Sequence, residues 1–197
     1  MAGLLRIPLF LDAAECSRVT DEMRHAAGLQ APVYGTSGDP ARVLPQARKA
    51  TLVDVSPATR ERIASRLLAQ RVAFERHFGV ALARCEAPQF VRYVAGDYFV
   101  AHQDGNTPLI RDGSLGRRVS AVVFLSAPAK NEPGGYTGGT LVLYGPPHAP
   151  EPPYSVEAER GMLVAFRSET THEVTPVLAG ERCTVVTWFR ADASRDG

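Results

Sequence analysis

In the segment Tyr98–Asn106, His102 and Asp104 lie two residues apart. A strand repeats its side-chain direction every second residue, so an imidazole and a carboxylate at this spacing leave the same face and can touch one ion. A third ligand has to come from elsewhere in the chain. His172 suits that part: it follows the expected strand Met162–Arg167 by the short turn Ser168–Thr171 and begins the next strand. Two imidazoles and a carboxylate on one side of an ion leave the opposite positions open, which is the ligand set of non-heme iron(II) sites. Arg182 opens the last strand, where it shares a face with Thr184, Val186 and Trp188. A guanidinium at the mouth, then a hydroxyl and apolar groups, can hold the far end of a dicarboxylate, because the planar fork meets a carboxylate bidentately. His25, His77 and His148 lie on expected helices or in a proline-rich loop and have no such partners.

These side chains need strands to position them, and the second half of the chain reads as strands. Runs rich in Val, Ile, Phe, Tyr and Thr occur at Gln89–Val94, Tyr98–His102, Arg118–Ser126, Thr140–Tyr144, Met162–Arg167, Glu173–Val177 and Arg182–Arg190. Two helices precede them. Asp12 and Glu15 form a capping box for the first; Cys16, Val19, Met23 and Ala26 share its face, and Gly28 is expected to end it. The second starts at Ser56 with Pro57 at its first position, carries the stripe Ile63, Leu67, Phe74 and Phe78, and ends at Gly79. Helices followed by seven or more strands predict an α+β domain, a helix layer supporting a β-sandwich or barrel. Leu29–Lys49 reads as a long excursion, and Gly105–Arg117 and Lys130–Gly138 as long polar loops. Segments 32–49, with Arg42, Arg48 and Lys49, and 105–117, with Arg111, are candidate lids over the site.

Bulk composition narrows the partners. Lys+Arg is 22 and Asp+Glu is 21, a net charge of +1, without the basic excess that phosphate backbones select, so no nucleic-acid partner is expected. Cys16, Cys85 and Cys183 are too scattered for a disulfide framework and fit a reducing compartment. The apolar stretch Leu4–Leu11 is interrupted by Arg6 and Pro8 and reads as a first strand, and no run reaches transmembrane length. The expectation is a cytoplasmic, membrane-independent protein; oligomeric state is not legible.

Longer motifs resemble a known family. "RYVAGDYFVAHQD", "RRVSAVVFLS", "YTGGTLVLYG" and "GMLVAFRSETTHEVTPVLAGERCTVVTWF" follow one another in the order found in the prolyl 4-hydroxylase branch of the 2-oxoglutarate/iron(II) oxygenases, and are especially similar to bacterial PKHD-type hydroxylases. The N-terminal "IPLFLDAAEC" resembles the family's opening strand and helix. The resemblance spans Gln89 to Phe189 and implies a double-stranded β-helix, or jelly-roll, core. It divides the single domain 1–197 into helical support and lid over 1–79 and jelly-roll core over 80–190. It implies Fe(II) on His102, Asp104 and His172, with 2-oxoglutarate and O2 as co-substrates and ascorbate as a candidate reductant. It also implies Arg182 on the 5-carboxylate and Tyr93 lining the co-substrate pocket. Two positions depart from the pattern: Phe124 stands where several prolyl hydroxylases have a tyrosine, so Arg182 would need Thr184 or another group beside it, and Phe99 replaces an aromatic that is often tyrosine.

The implied reaction is hydroxylation of an unactivated C–H bond with release of succinate and CO2. Asp104 favours that outcome, since halogenating relatives put a small residue there. Trp188 stands where nucleic-acid dealkylases of the superfamily carry a second arginine. The implied substrate is a prolyl residue of a peptide or protein; a free amino acid or natural-product small molecule is the alternative. A non-catalytic jelly-roll binding module would leave the His-x-Asp, His and Arg pattern as coincidence.

Overall fold

The computed structural model describes residues 3–33, 43–107 and 113–191. Asp12 caps helix α1 (Ala13–His25), accepting from the Glu15 N–H at 2.7 Å while the Glu15 carboxylate reaches back to the Asp12 N–H. The helix stops at Ala26, earlier than the glycine suggests, because Gly28 already belongs to a strand whose close neighbour, Thr51, leaves no room for a Cβ. The second expected helix is two: α2 (Pro57–Leu68), capped by Ser56, and α3 (Arg71–Phe78), closed by Gly79 at φ 64°. The break is a tightened turn in which Gln70 N–H bonds to Leu67 at 2.9 Å. The apolar stripe survives it, so Ile63, Leu67, Phe74 and Phe78 enter the same core.

The strands of the described residues are β1 (Leu4–Ile7), β2 (Gly28–Gln30), β3 (Arg48–Lys49), β4 (Thr51–Val53), β5 (Arg84–Cys85), β6 (Gln89–Tyr93), β7 (Tyr98–His102), β8 (Arg117–Phe124), β9 (Thr137–Gly138), β10 (Leu141–Leu143), β11 (Tyr154–Ser155), β12 (Leu163–Arg167), β13 (His172–Val174), β14 (Val177–Ala179) and β15 (Arg182–Arg190). They form a major sheet in the order β1-β12-β8-β15-β6-β4-β2, with β5 on β15, and a minor sheet in the order β11-β10-β13-β7-β3. Strand β9 pairs separately with β14. The expected strand Glu173–Val177 divides at Thr175–Pro176, where proline has no N–H to give a ladder. The first 79 residues supply four strands to these sheets as well as the helices.

Period-two alternation sorts the core into two layers. Val119, Ala121 and Val123 of β8 and Cys183, Val185 and Phe189 of β15 face the helices. Their alternates Val122, Phe124 and Val186 face the minor sheet, where Leu141 and Leu143 meet them. A third cluster joins Val91 and Tyr93 of the major sheet to Val174 of the minor one. This is the expected jelly roll on a helix layer: two antiparallel sheets with an apolar filling, and helices behind one of them. The structure therefore shows an α+β double-stranded β-helix. Segments 34–42 and 108–112 of the expected lids, with Arg42 and Arg111, lie outside the described residues. Among the described residues, no helix is long and apolar enough to cross a membrane.

Candidate metal centre

His102 ends β7 and His172 begins β13, and the two are register partners in the minor sheet. The ladder that pairs these strands therefore brings together residues seventy positions apart in the chain. Asp104 follows β7 and is fixed by its backbone: its N–H and that of Gly105 both bond to Ser168 O, at 2.9 and 3.1 Å. Gly105 permits this, since a Cβ there would meet Arg117 Cβ at 2.6 Å. One ligand atom from each of His102, Asp104 and His172 lies within 4.8 Å of the others, a spacing one ion can bridge. His102 Nε2 and His172 Nε2 are each 3.5 Å from an Asp104 oxygen.

Both rings are oriented for ligation. His102 Nδ1 is 2.9 Å from Val100 O and His172 Nδ1 is 2.8 Å from Thr170 O. A carbonyl can only accept, so each Nδ1 carries the proton and each Nε2 turns a lone pair inward. Burial pushes His172 down to about 4, helped by the His102 ring and opposed by Asp104. Burial would push the Asp104 carboxyl up, but the charge that the facing His172 and His102 rings carry when protonated, with the hydrogen bond His102 then donates, outweighs it and favours the ionised carboxylate. The result near neutral pH is a neutral His172 and an ionised Asp104, the protonation states a metal needs.

The surrounding contacts come from both sheets. Ser120 Oγ donates to Asp104 Oδ2 at 2.7 Å and sits 3.0 Å from Ser168 Oγ. Phe99 stacks on His102 with ring centroids 3.6 Å apart, and Phe166 meets His172 edge-on at 4.8 Å. The Trp188 indole N–H is buried without a hydrogen bond of normal geometry, yet it faces Asp104 closely enough to favour the ionised carboxylate. Arg117 stacks under Trp188, its Cζ 3.7 Å from the ring.

Arg182, Thr184, Val186 and Trp188 share the inner face of β15, as their spacing predicts. Arg182 is 2% exposed and lies between two aromatic faces, with its Cζ 5.1 Å from Tyr93 and 5.5 Å from Phe124. Its Nε and the Thr184 hydroxyl are buried without hydrogen bonds. A buried guanidinium whose Nε has no hydrogen bond, beside a buried hydroxyl that also has none, suits an acidic ligand, so the residues fit a dicarboxylate at this place. The Tyr136 phenol, pushed up by burial and opposed by Arg182, stands beside the guanidinium and supplies a hydroxyl that Phe124 lacks. Ser120, Phe166 and Tyr136 were not among the sequence-derived site residues. Alternation along Arg118–Ser126 puts Ser120 on the Phe124 face, a polar group in an apolar run, and that was a usable signal.

Two imidazoles and a carboxylate gathered in a jelly roll are a donor set that suits a non-heme metal. The family model of the 2OG-Fe(II) oxygenase superfamily matches residues 88–190. A PKHD-type hydroxylase of Shewanella baltica is 35% identical over 113 residues, covering 56% of this chain and 45% of the relative. The chain thus spans about half the length of the Shewanella relatives it matches. A PKHD-type hydroxylase of Burkholderia ambifaria is 30% identical over 204 residues, covering 98% of this chain and 82% of the relative. The crystal structure of a Pseudomonas putida prolyl-4-hydroxylase shares the fold, with a TM-score of 0.71 at 24% identity over 97% of this chain and 94% of that one. This chain belongs to the 2OG-Fe(II) oxygenase superfamily, whose two groups are iron(II) and 2-oxoglutarate.

Proposed function

We propose that this chain is a hydroxylase in which His102, Asp104 and His172 hold Fe(II), and Arg182, flanked by Tyr93 and Thr184, holds the 5-carboxylate of 2-oxoglutarate. The observation that carries the reading is the meeting of three ligand atoms within 4.8 Å, in a fold whose last strand also buries a guanidinium with an unsatisfied Nε. The chemistry that iron and 2-oxoglutarate supply when bound is oxidation of an unactivated C–H bond, with O2 consumed and succinate and CO2 released. The chain's own part is positioning. Thr170 and Val100 carbonyls fix the imidazole tautomers, the Ser120 proton stays on Oγ toward Asp104, and Phe99, Phe166 and Trp188 keep water from the ligands.

The substrate we propose is a prolyl residue of a peptide or protein, a reading supported by the prolyl-4-hydroxylase fold likeness and the PKHD-type relatives. The test is succinate release by the purified protein with Fe(II), ascorbate and 2-oxoglutarate, alone and with proline-containing peptides. Slow release without peptide and faster release with one is expected. His172→Ala and His102→Ala should bind no Fe(II) and release no succinate while keeping the wild-type circular dichroism spectrum. Near-normal turnover in His172→Ala would remove it from the ligand set.

A further inference from the structure

Three arginines of the described residues are more than nine-tenths buried: Arg182 at 2% exposure, Arg117 at 4% and Arg48 at 8%. Glu86 neutralises Arg117 through two hydrogen bonds, Nε to Oε1 at 2.9 Å and Nη2 to Oε2 at 2.7 Å. Among the described residues, no carboxylate pairs with Arg48 or Arg182, and each leaves a buried Nε without a hydrogen bond. A guanidinium cannot escape burial by giving up its proton, so carbonyl and ring contacts offset its desolvation only in part until an anion arrives. For Arg182 that anion is the proposed co-substrate carboxylate. Arg48 has the same signature and no assigned anion.

Arg48 lies on β3 opposite Phe99 of β7. Its Cζ is 4.8 Å from the Phe99 ring, and that ring is the one stacked on His102. One donor is in use, Nη1 to Pro32 O at 3.2 Å. The cation therefore stands one aromatic ring from a metal ligand, on the minor sheet, while Arg182 stands on the major one. A purely structural part for Arg48 accounts for the ring contact and the bond to Pro32, both of which an uncharged residue could make in part. It does not account for burying the charge.

We infer that Arg48 takes a carboxylate of the primary substrate and holds it beside Phe99 while the reacting carbon faces the metal. The planar fork selects a carboxylate with two parallel hydrogen bonds. That carboxylate is either the α-carboxylate of a free amino acid or an acidic side chain next to the target residue of a peptide. The inference rests on the proposed reading of the metal centre, so the experiment follows both arginines at once. Protein labelled with 15N at arginine is loaded with redox-inert Zn(II), and the Nε–H signals are assigned by their loss in Arg48→Lys and Arg182→Lys.

Adding 2-oxoglutarate should move the Arg182 signal; if it does not, the co-substrate assignment fails. With 2-oxoglutarate saturating, acetate should move the Arg48 signal saturably and acetamide should not. An unmoved Arg48 signal in protein whose Arg182 responds overturns the inference, as does inorganic phosphate acting where acetate does not. Movement of Arg48 by 2-oxoglutarate with Arg182 unmoved overturns both assignments. Two matched pairs then identify the source: L-proline against L-prolinamide, and N-acetyl-Pro-Asp-amide against N-acetyl-Pro-Asn-amide. In the correct pair the acid should bind about tenfold more tightly or better, and Arg48→Gln should erase the difference. No acid preference in either pair, or a preference that persists in Arg48→Gln, overturns the substrate role.

Discussion

Replacing Ser120 with alanine removes the donor 2.7 Å from Asp104 Oδ2 and leaves a buried carboxylate oxygen with one partner fewer. Such contacts to a ligand typically carry about 10–100-fold in metal affinity, and Ser120→Ala is expected to weaken Co(II) binding by that order. A titration followed in the visible spectrum measures it, with thermal unfolding as the control. Unchanged affinity would mean that the backbone bonds to Ser168 alone hold Asp104. In the proposed site Arg182→Gln would remove a charge-assisted contact of about 1.5–3 kcal/mol, so the Michaelis constant for 2-oxoglutarate should rise roughly tenfold or more, with Fe(II) affinity unaltered. Arg182→Lys keeps the charge without the fork and should fall between. At this scale residue type and strand period together single out candidates, as at His102 and Asp104, whose ligand atoms the fold brings together, and at Arg182, which it buries. The sequence was silent on Tyr136, because nothing in local spacing says that a residue between β8 and β9, bridged to Pro128, will return to the side of Arg182.

Helix α1 begins with the Asp12–Glu15 box, and Glu15 also pairs with Arg66 of α2 at 2.6 Å. Asp12→Ala should cost about 1 kcal/mol, the usual worth of an N-cap. In a chain of this size that lowers the midpoint of thermal unfolding by roughly 2–4 °C, measured by calorimetry. A smaller shift would show that packing of Cys16, Val19 and Met23 on the major sheet holds the helix start unaided. The capped helices and the long strands β6, β8, β12 and β15 were legible because each repeats its period several times. Strands β2, β3, β9, β11 and β14 have only two or three residues each, too few to display a period, and only their partners define them. The division of the second helix at Gln70 was equally hidden, since neither proline nor glycine marks it.

Across the whole molecule, Glu86 joins three separated segments: it follows β5, and it binds Arg117 at the start of β8 and Arg190 at the end of β15. Burial alone would push its carboxyl up; hydrogen bonds and charge from Arg117 and then Arg190 outweigh this and hold it below its ordinary 4.5. A carboxyl lowered on folding stabilises fully above its unfolded pKa and loses that contribution as the pH falls through the folded one. Wild type should therefore exceed Glu86→Gln in urea stability near neutral pH, and the gap should close as the pH falls below 4.5. A gap constant with pH would assign the effect to shape and not to charge. Arg117 also donates to Asp104 O at 3.4 Å, so acid loosening at Glu86 is expected to reach the proposed metal ligand Asp104.

The division of labour between the sheets has a further consequence. His102 and His172 stand on the minor sheet and Arg182 on the major one, so the span between a metal held in the proposed site and the guanidinium is a distance between sheets. That distance, about 10 Å in stacked sheets, is kept by side chains such as Phe124, Leu143, Phe166 and Val174, none of which can hold a carboxylate. With the proposed ligand set and the proposed part of Arg182, the molecule would act as a calliper for its keto acid. A diacid one methylene shorter or longer must give up one jaw or the other, and resetting the opening requires rewriting the apolar filling and not the charged residues at its tips.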